Sequence, residues 1–228
     1  MSASLTLLAG FLAGALHVFV GPDHLAAVAP LSADAPRRAW RLGLRWGLGH
    51  AAGVALIALV AFILRRFIHL ETLAHWSERM VGVVLIGVGL WGLSRIRRHR
   101  FHRHGHRHED SEHEHIHFHD GAGPHDSGKP ASGHEHGHAV MGVGLLHGAA
   151  GSHHVVSLLP ALALPSNLLA ALYLAAFALG NILGMTLFAG LVGLLFDRLR
   201  DSGTLVYRWT LGIVSTAALA IGIYWLTL

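Results

Sequence analysis

The sequence predicts an all-α membrane protein of six transmembrane helices arranged as two inverted three-helix repeats. Three observations predict it. The 228 residues are 53% hydrophobic and only 13% charged, with 28 Gly, far from a soluble domain's composition. The charges sit between apolar runs, most of them near the ~20 residues a helix needs to cross a bilayer. The two halves also resemble each other at a nearly fixed offset.

The runs lie at 5–29, 42–64, 73–94, 139–164, 167–196 and 205–228. The first lacks the basic leader of a secretory signal, since no Lys or Arg precedes Arg37, and it is expected to persist as the first span. The third is short of apolar residues: its charge-free stretch, 80–93, has 14. It must recruit the turn before it, with Glu78 and Arg79 snorkelling or paired. The preceding segment 67–76 carries His69, His75 and an apolar stripe, and is expected to lie along the interface. Residues 1–98 then form the first repeat, 99–138 a polar loop and 139–228 the second repeat.

Shifting the chain by 130 residues brings Leu16, His17, Gly21, His24 and Pro30 onto Leu146, His147, Gly151, His154 and Pro160, with Asp23 on His153. Gly49-His50 matches Gly180-Asn181 and Gly53 matches Gly184 at an offset of 131, and Gly82 and Gly92 match Gly212 and Gly222 at 130. Three spans per copy reverse the second copy in the membrane, an architecture used by secondary transporters with a midplane site between broken helices. Loops after spans one, three and five carry fourteen basic residues against three on the other side. The positive-inside rule then puts those loops in the cytoplasm and both termini outside, in a bacterial-type inner (cytoplasmic) membrane. The same rule accounts for the pI near 10.3, which reflects loop Arg rather than nucleic-acid binding.

Ionisable groups inside an apolar run are costly and mark function. Here they read His17-Val18-Phe19-Val20-Gly21-Pro22-Asp23-His24. The chain has no Cys, which excludes disulfides and thiolate sites and disfavours Cu(I). Imidazole and carboxylate remain, and divalent first-row metals accept both. In a straight helix His17 and His24 share a face but stand roughly 10.5 Å apart, too far for one ion at about 2 Å from each nitrogen. Gly21-Pro22 resolves this: proline disfavours helix at the residue before it, so a break can fold His24 back toward His17. The candidate metal-ligating residues are His17, Asp23, His24, His50, His147, His153 and His154. The plainer alternative is a set of buried histidines hydrogen-bonded across helices, with Asp23 capping the broken helix.

The His17–His24 segment resembles the signature of the nickel/cobalt transporter family, in which a histidine precedes an Asp-His pair in an early helix. Its spacing fits the urease-accessory and hydrogenase-associated branch. Leu48-Gly49-His50 is similar to that family's second signature, and Leu146-His147-Gly148 with Leu158-Leu159-Pro160 is similar to the urease-accessory nickel permeases. The resemblance implies a nickel or cobalt permease with His17, Asp23 and His24 as ligands and His50 in support.

The loop 99–138 holds 13 of the 21 His, and with these neutral its seven acidic and four basic residues leave a net charge of −3. It is expected to be disordered, cytoplasmic and able to bind divalent ions with modest selectivity. There is no GxxxxGK[ST] loop and no His-Glu-x-x-His motif, so neither ATP hydrolysis nor zinc proteolysis is expected, and the chain is expected not to be an enzyme. The expected function is secondary transport of Ni2+ or Co2+ as substrate, in the direction of uptake. The alternative is a nickel/cobalt efflux carrier conferring metal tolerance. No organic cofactor and no nucleic acid are expected. The expected partners are the ion, the lipid bilayer and, as an option, a cytoplasmic metallochaperone.

Overall fold

The computed structural model describes residues 2–34, 36–64, 70–98, 102–108, 111–117, 135–149, 160–161 and 163–227. Seven α-helices are described: α1 (Ala3–Val20), α2 (Pro22–Asp34), α3 (Ala39–Leu64), α4 (Leu70–Arg98), α5 (Glu135–Ala149), α6 (Asn167–Asp201) and α7 (Thr204–Thr227). Among the described residues, four segments are long and apolar enough to cross a membrane: Ala3–Val20, Glu78–Arg97, Asn167–Arg200 and Thr204–Thr227.

The burial pattern is that of a protein solvated by lipid. On α1 the buried residues are Thr6, Gly10, Gly14 and Val18, at the four-residue spacing of one helix face. Leu5, Leu8, Leu12 and Leu16 are exposed. Small residues inside and leucines outside invert the soluble amphipathic helix, and suit packing in hydrocarbon, where backbones must approach closely. α6 repeats the pattern, with Leu179, Leu183, Leu187 and Leu191 exposed. This is a multi-pass membrane protein.

The expected span 5–29 is two helices, divided at Gly21-Pro22 where the break was expected. α1 stops at Val20, the Gly21 N–H donates to the His17 carbonyl at 3.1 Å, and α2 starts at Pro22, whose missing N–H suits a first helical position. α2 then runs past residue 29 to Asp34. At its far end the Ala33 carbonyl accepts from both Arg200 Nη2 and Tyr207 Oη at 3.1 Å. The third expected span begins earlier than 73: α4 is continuous from Leu70, so residues 70–76, expected along the interface, extend the same helix. Of the expected span 139–164, α5 covers the first part, and 150–159 lie outside the described residues.

α1 packs along α6, α3 along α5 and α6, and α4 along α7. Glycines seat these pairs. A Cβ on Gly14 would overlap the Phe177 carbonyl, and one on Gly144 the Trp46 carbonyl. One on Gly180 would overlap the Phe11 carbonyl, and one on Gly49 the Met141 carbonyl. Each contact maps onto its fellow when the chain is shifted by 130 or 131 residues. On α4 and α7, Gly82 and Gly222 face each other, each Cβ position lying 2.8 Å from the other's carbonyl oxygen.

In the loop expected to be disordered, the described residues form an antiparallel ribbon of β1 (His102–His108) and β2 (Ser111–His117). The register sets His102 opposite His117, His104 opposite His115 and His106 opposite His113. Alternation of His with other residues gives both runs the two-residue period of a strand. Arg107 opposite Glu112 adds a cross-strand pair of opposite charge.

Candidate metal centre

The helix break does the first piece of positioning. With α1 ended at Val20 and α2 leaving from Pro22, the His17 and His24 rings meet edge to face, centroids 4.8 Å apart. The seam between α3 and α5 does the second. Gly144 rests on the Trp46 carbonyl and Gly148 on the His50 carbonyl, so His147 is drawn against His50 and His24. Ring centroids lie 4.9 Å apart for His24–His50, 4.7 Å for His24–His147 and 5.7 Å for His50–His147. Gly14, seated on α6 at Phe177, brings His17 one turn later to 5.7 Å from the Phe177 ring.

Asp23 joins the group from the first turn of α2. Its Oδ1 lies 3.1 Å from His24 Nδ1 and its Oδ2 lies 3.2 Å from His147 Nε2. A carboxylate accepts, so the hydrogen bond to His24 assigns N–H to its Nδ1. Nε2 of His24 is then the nitrogen with a lone pair for an ion. A carboxylate that fixes the tautomer of a ligating imidazole is a recurring feature of metal sites.

Two overlapping donor sets result. His17, His24 and His50 form one, and Asp23, His24 and His147 the other; within each, one donor atom per residue lies within 4.8 Å of the rest. His24 belongs to both. His50 and His147 are fully buried and His24 is 2% exposed, while His17 is half-buried at the edge of the cluster. Five of the seven residues expected from sequence are therefore together. His153 and His154 lie outside the described residues.

Three neighbours were not among the expected ligands. The buried Trp46 packs its ring 5.7 Å from His147, and Phe177 backs His17. Asn181, buried on α6 one turn beyond Phe177, had a sequence signal: it stands where the other half of the chain has His50.

Residues 5–224 match the family described as the cytochrome C biogenesis protein transmembrane region. Among curated proteins the chain is similar to two chloroplast proteins of Arabidopsis thaliana. It is 29% identical to FOR GROWTH AND FERTILITY 1, over 94% of this chain and 56% of that one. It is 31% identical to FOR GROWTH AND FERTILITY 2, over 84% of this chain and 48% of that one. The chain thus spans about half the length of these chloroplast relatives. It is also 27% identical to the urease accessory protein UreH of Bacillus sp. (strain TB-90), over 82% of this chain and 75% of that protein. No solved structure matches the chain.

Proposed function

The chain belongs to the cytochrome C biogenesis protein transmembrane-region family, and from that premise we propose that it is a secondary transporter of a divalent transition-metal ion, nickel or cobalt, working in uptake. One observation carries the reading: His17, His24, His50, His147 and Asp23, from four helices, converge as two donor sets that share His24, all buried but the half-buried His17. Burying imidazoles and a carboxylate together is costly unless a cation or a fixed hydrogen-bond network repays it. The chain has no cysteine, so thiol exchange is not chemistry its own residues can perform. The similarity to a urease accessory protein and the resemblance of the His17–His24 segment to nickel/cobalt transporters favour nickel.

In this mechanism His24 is the pivot. An ion held by His17, His24 and His50 passes to Asp23, His24 and His147 without losing the shared ligand. Neutral imidazole is required, so protons compete with the ion for every nitrogen. The matched glycine contacts along the α1–α6 and α3–α5 seams support an inverted-repeat reading, in which the two halves rock about the cluster. A divalent cation entering a negative interior gains about 4.6 kcal/mol at 100 mV, twice the single-charge value. Uptake therefore needs no ATP. The fourteen basic residues of the alternate loops support an orientation with the His-rich loop in the cytoplasm.

The test uses purified full-length chain in liposomes, with Ni2+ or Co2+ on either side and a valinomycin-set potential. Wild type is expected to accumulate the ion inside when the interior is negative, and His24→Ala to leave it outside. Equal leakage from both proteins would end the proposal. Net extrusion against the potential would reverse its direction and favour efflux.

A further inference from the structure

The ribbon of β1 and β2 has no part in the mechanism above, yet its register makes it two-faced. His102, His104 and His106 stand opposite His117, His115 and His113. Residues alternate between the faces of a strand, so all six fall on one face, with His108 at its end. The intervening pairs, Arg103–Ile116, Gly105–Glu114 and Arg107–Glu112, fall on the other. We propose that the histidine face is a second metal site, a row of cross-strand histidine pairs that clamps imidazole-preferring divalent ions, Ni2+ or Zn2+, outside the membrane helices.

Strand geometry suits this chemistry. Opposed residues of an antiparallel pair have Cβ atoms about 4.5–5.5 Å apart, and two imidazoles that close can share an ion at about 2 Å from each nitrogen. The next pair on the same face lies roughly 7 Å along, two residues of rise, so neighbouring pairs can complete a four-nitrogen set. Such sets favour nickel, copper and zinc over magnesium and calcium, which prefer oxygen.

The ribbon also has little else to hold it. An isolated two-stranded hairpin is marginal in water. The joining residues, Glu109-Asp110, lack the glycine that favours a two-residue turn. Arg107 opposite Glu112 is one favourable pair against that. Ions bridging the histidine pairs supply the missing cross-strand attraction, and binding is thereby coupled to strand pairing. The metal site stands without the transport reading. Only its service rests on that reading: with the loop in the cytoplasm, the ribbon receives ions that the His24 cluster releases.

The experiment uses full-length protein carrying His24→Ala, which keeps the membrane cluster out of the comparison. One variant of this parent adds His113→Gln, His115→Gln and His117→Gln, taking one partner from each pair. A second adds His119→Gln, His125→Gln and His134→Gln, removing as many histidines beyond the ribbon. Calorimetry with Ni2+, repeated with Zn2+, reads affinity. Two imidazoles on one frame gain ~10²–10⁴ over independent binding. The first variant is therefore expected to bind about 100-fold more weakly than the parent, and the second about as tightly. The chain has no cysteine of its own, so Arg103→Cys and Ile116→Cys take spin labels at an opposed pair on the other face. Diamagnetic Zn2+ is expected to increase the dipolar broadening between the labels in the parent and not in the first variant. Equal loss of affinity in both variants overturns the proposal, since histidine density alone then explains binding. Broadening indifferent to Zn2+, or a parent that binds neither ion, overturns it too. Wild-type protein whose ribbon binds Ni2+ but which moves none across the bilayer would refute the transport reading alone.

Discussion

Asp23→Asn is the substitution that interrogates the centre most directly, because it removes charge while keeping shape. The Asp23 oxygens sit 3.1 Å from His24 Nδ1 and 3.2 Å from His147 Nε2. In the asparagine variant one of those oxygens becomes an NH2 donor. Facing the His24 Nδ1–H, it forces that ring into the other tautomer and turns its lone pair away from the ion. Losing a carboxylate that orients a metal-bound histidine costs 10–100-fold in affinity, about 1.4–2.7 kcal/mol. The ring shared by both donor sets is affected and a negative charge disappears beside a dication, so about 100-fold is expected. At the second donor set, where the proposed mechanism has Asp23 hold the ion itself, the loss is larger still. A unit charge pair at 4 Å is worth about 4 kcal/mol at an effective dielectric of 20, and a dication doubles it. Calorimetry with Ni2+ and Co2+ on detergent-solubilised protein measures the ratio, with thermal unfolding as a check on folding. An affinity within threefold of wild type, in a variant as stable as wild type, would refute both the tautomer assignment and the place of Asp23 in the centre.

Gly21→Ala should weaken metal binding at least tenfold without touching a ligand, since its Cβ would run into the His24 ring and lie 2.9 Å from Asp23 Oδ1; calorimetry reads it. Gly14→Leu should destabilise the protein by roughly 1–3 kcal/mol, the usual range for overpacking, because the side chain has only the α6 backbone at Phe177 to enter; the unfolding midpoint reports it. Lowering the pH should weaken Ni2+ affinity, because each ligating imidazole must shed its proton first; a titration of affinity against pH gives the sign. Deleting residues 99–138 should shift apparent affinity or regulation while preserving permeation, and abolished transport by a well-folded deletion variant would make that loop part of the pathway.

Much of the centre was legible because the residues that make it are chemically out of place in an apolar run. Gly21-Pro22 announced the break, and His17, Asp23, His24, His50 and His147 announced the donors. Helix limits were read less well. Hydropathy ends a span where charges begin, but the backbone continues: α6 runs to Asp201 rather than 196, and α3 starts at Ala39 with Arg41 over the Trp40 ring at 5.2 Å. α2 could not be foreseen as a separate helix to Asp34, because the Arg200 and Tyr207 bonds that hold its end come from the far side of the chain. Trp46 and Phe177 carried no signal, since aromatic residues in an apolar run look like ordinary packing.

The carbonyl-on-glycine seams restrict how this molecule can change shape. With backbone set against backbone at Gly14, Gly49, Gly144 and Gly180, there is no cushion of side chains to shear. Neighbouring helices cannot slip past one another by fractions of a turn. The α1–α6 and α3–α5 pairs are stiff planks, so in the proposed mechanism any opening toward either face of the bilayer comes from tilting plank against plank.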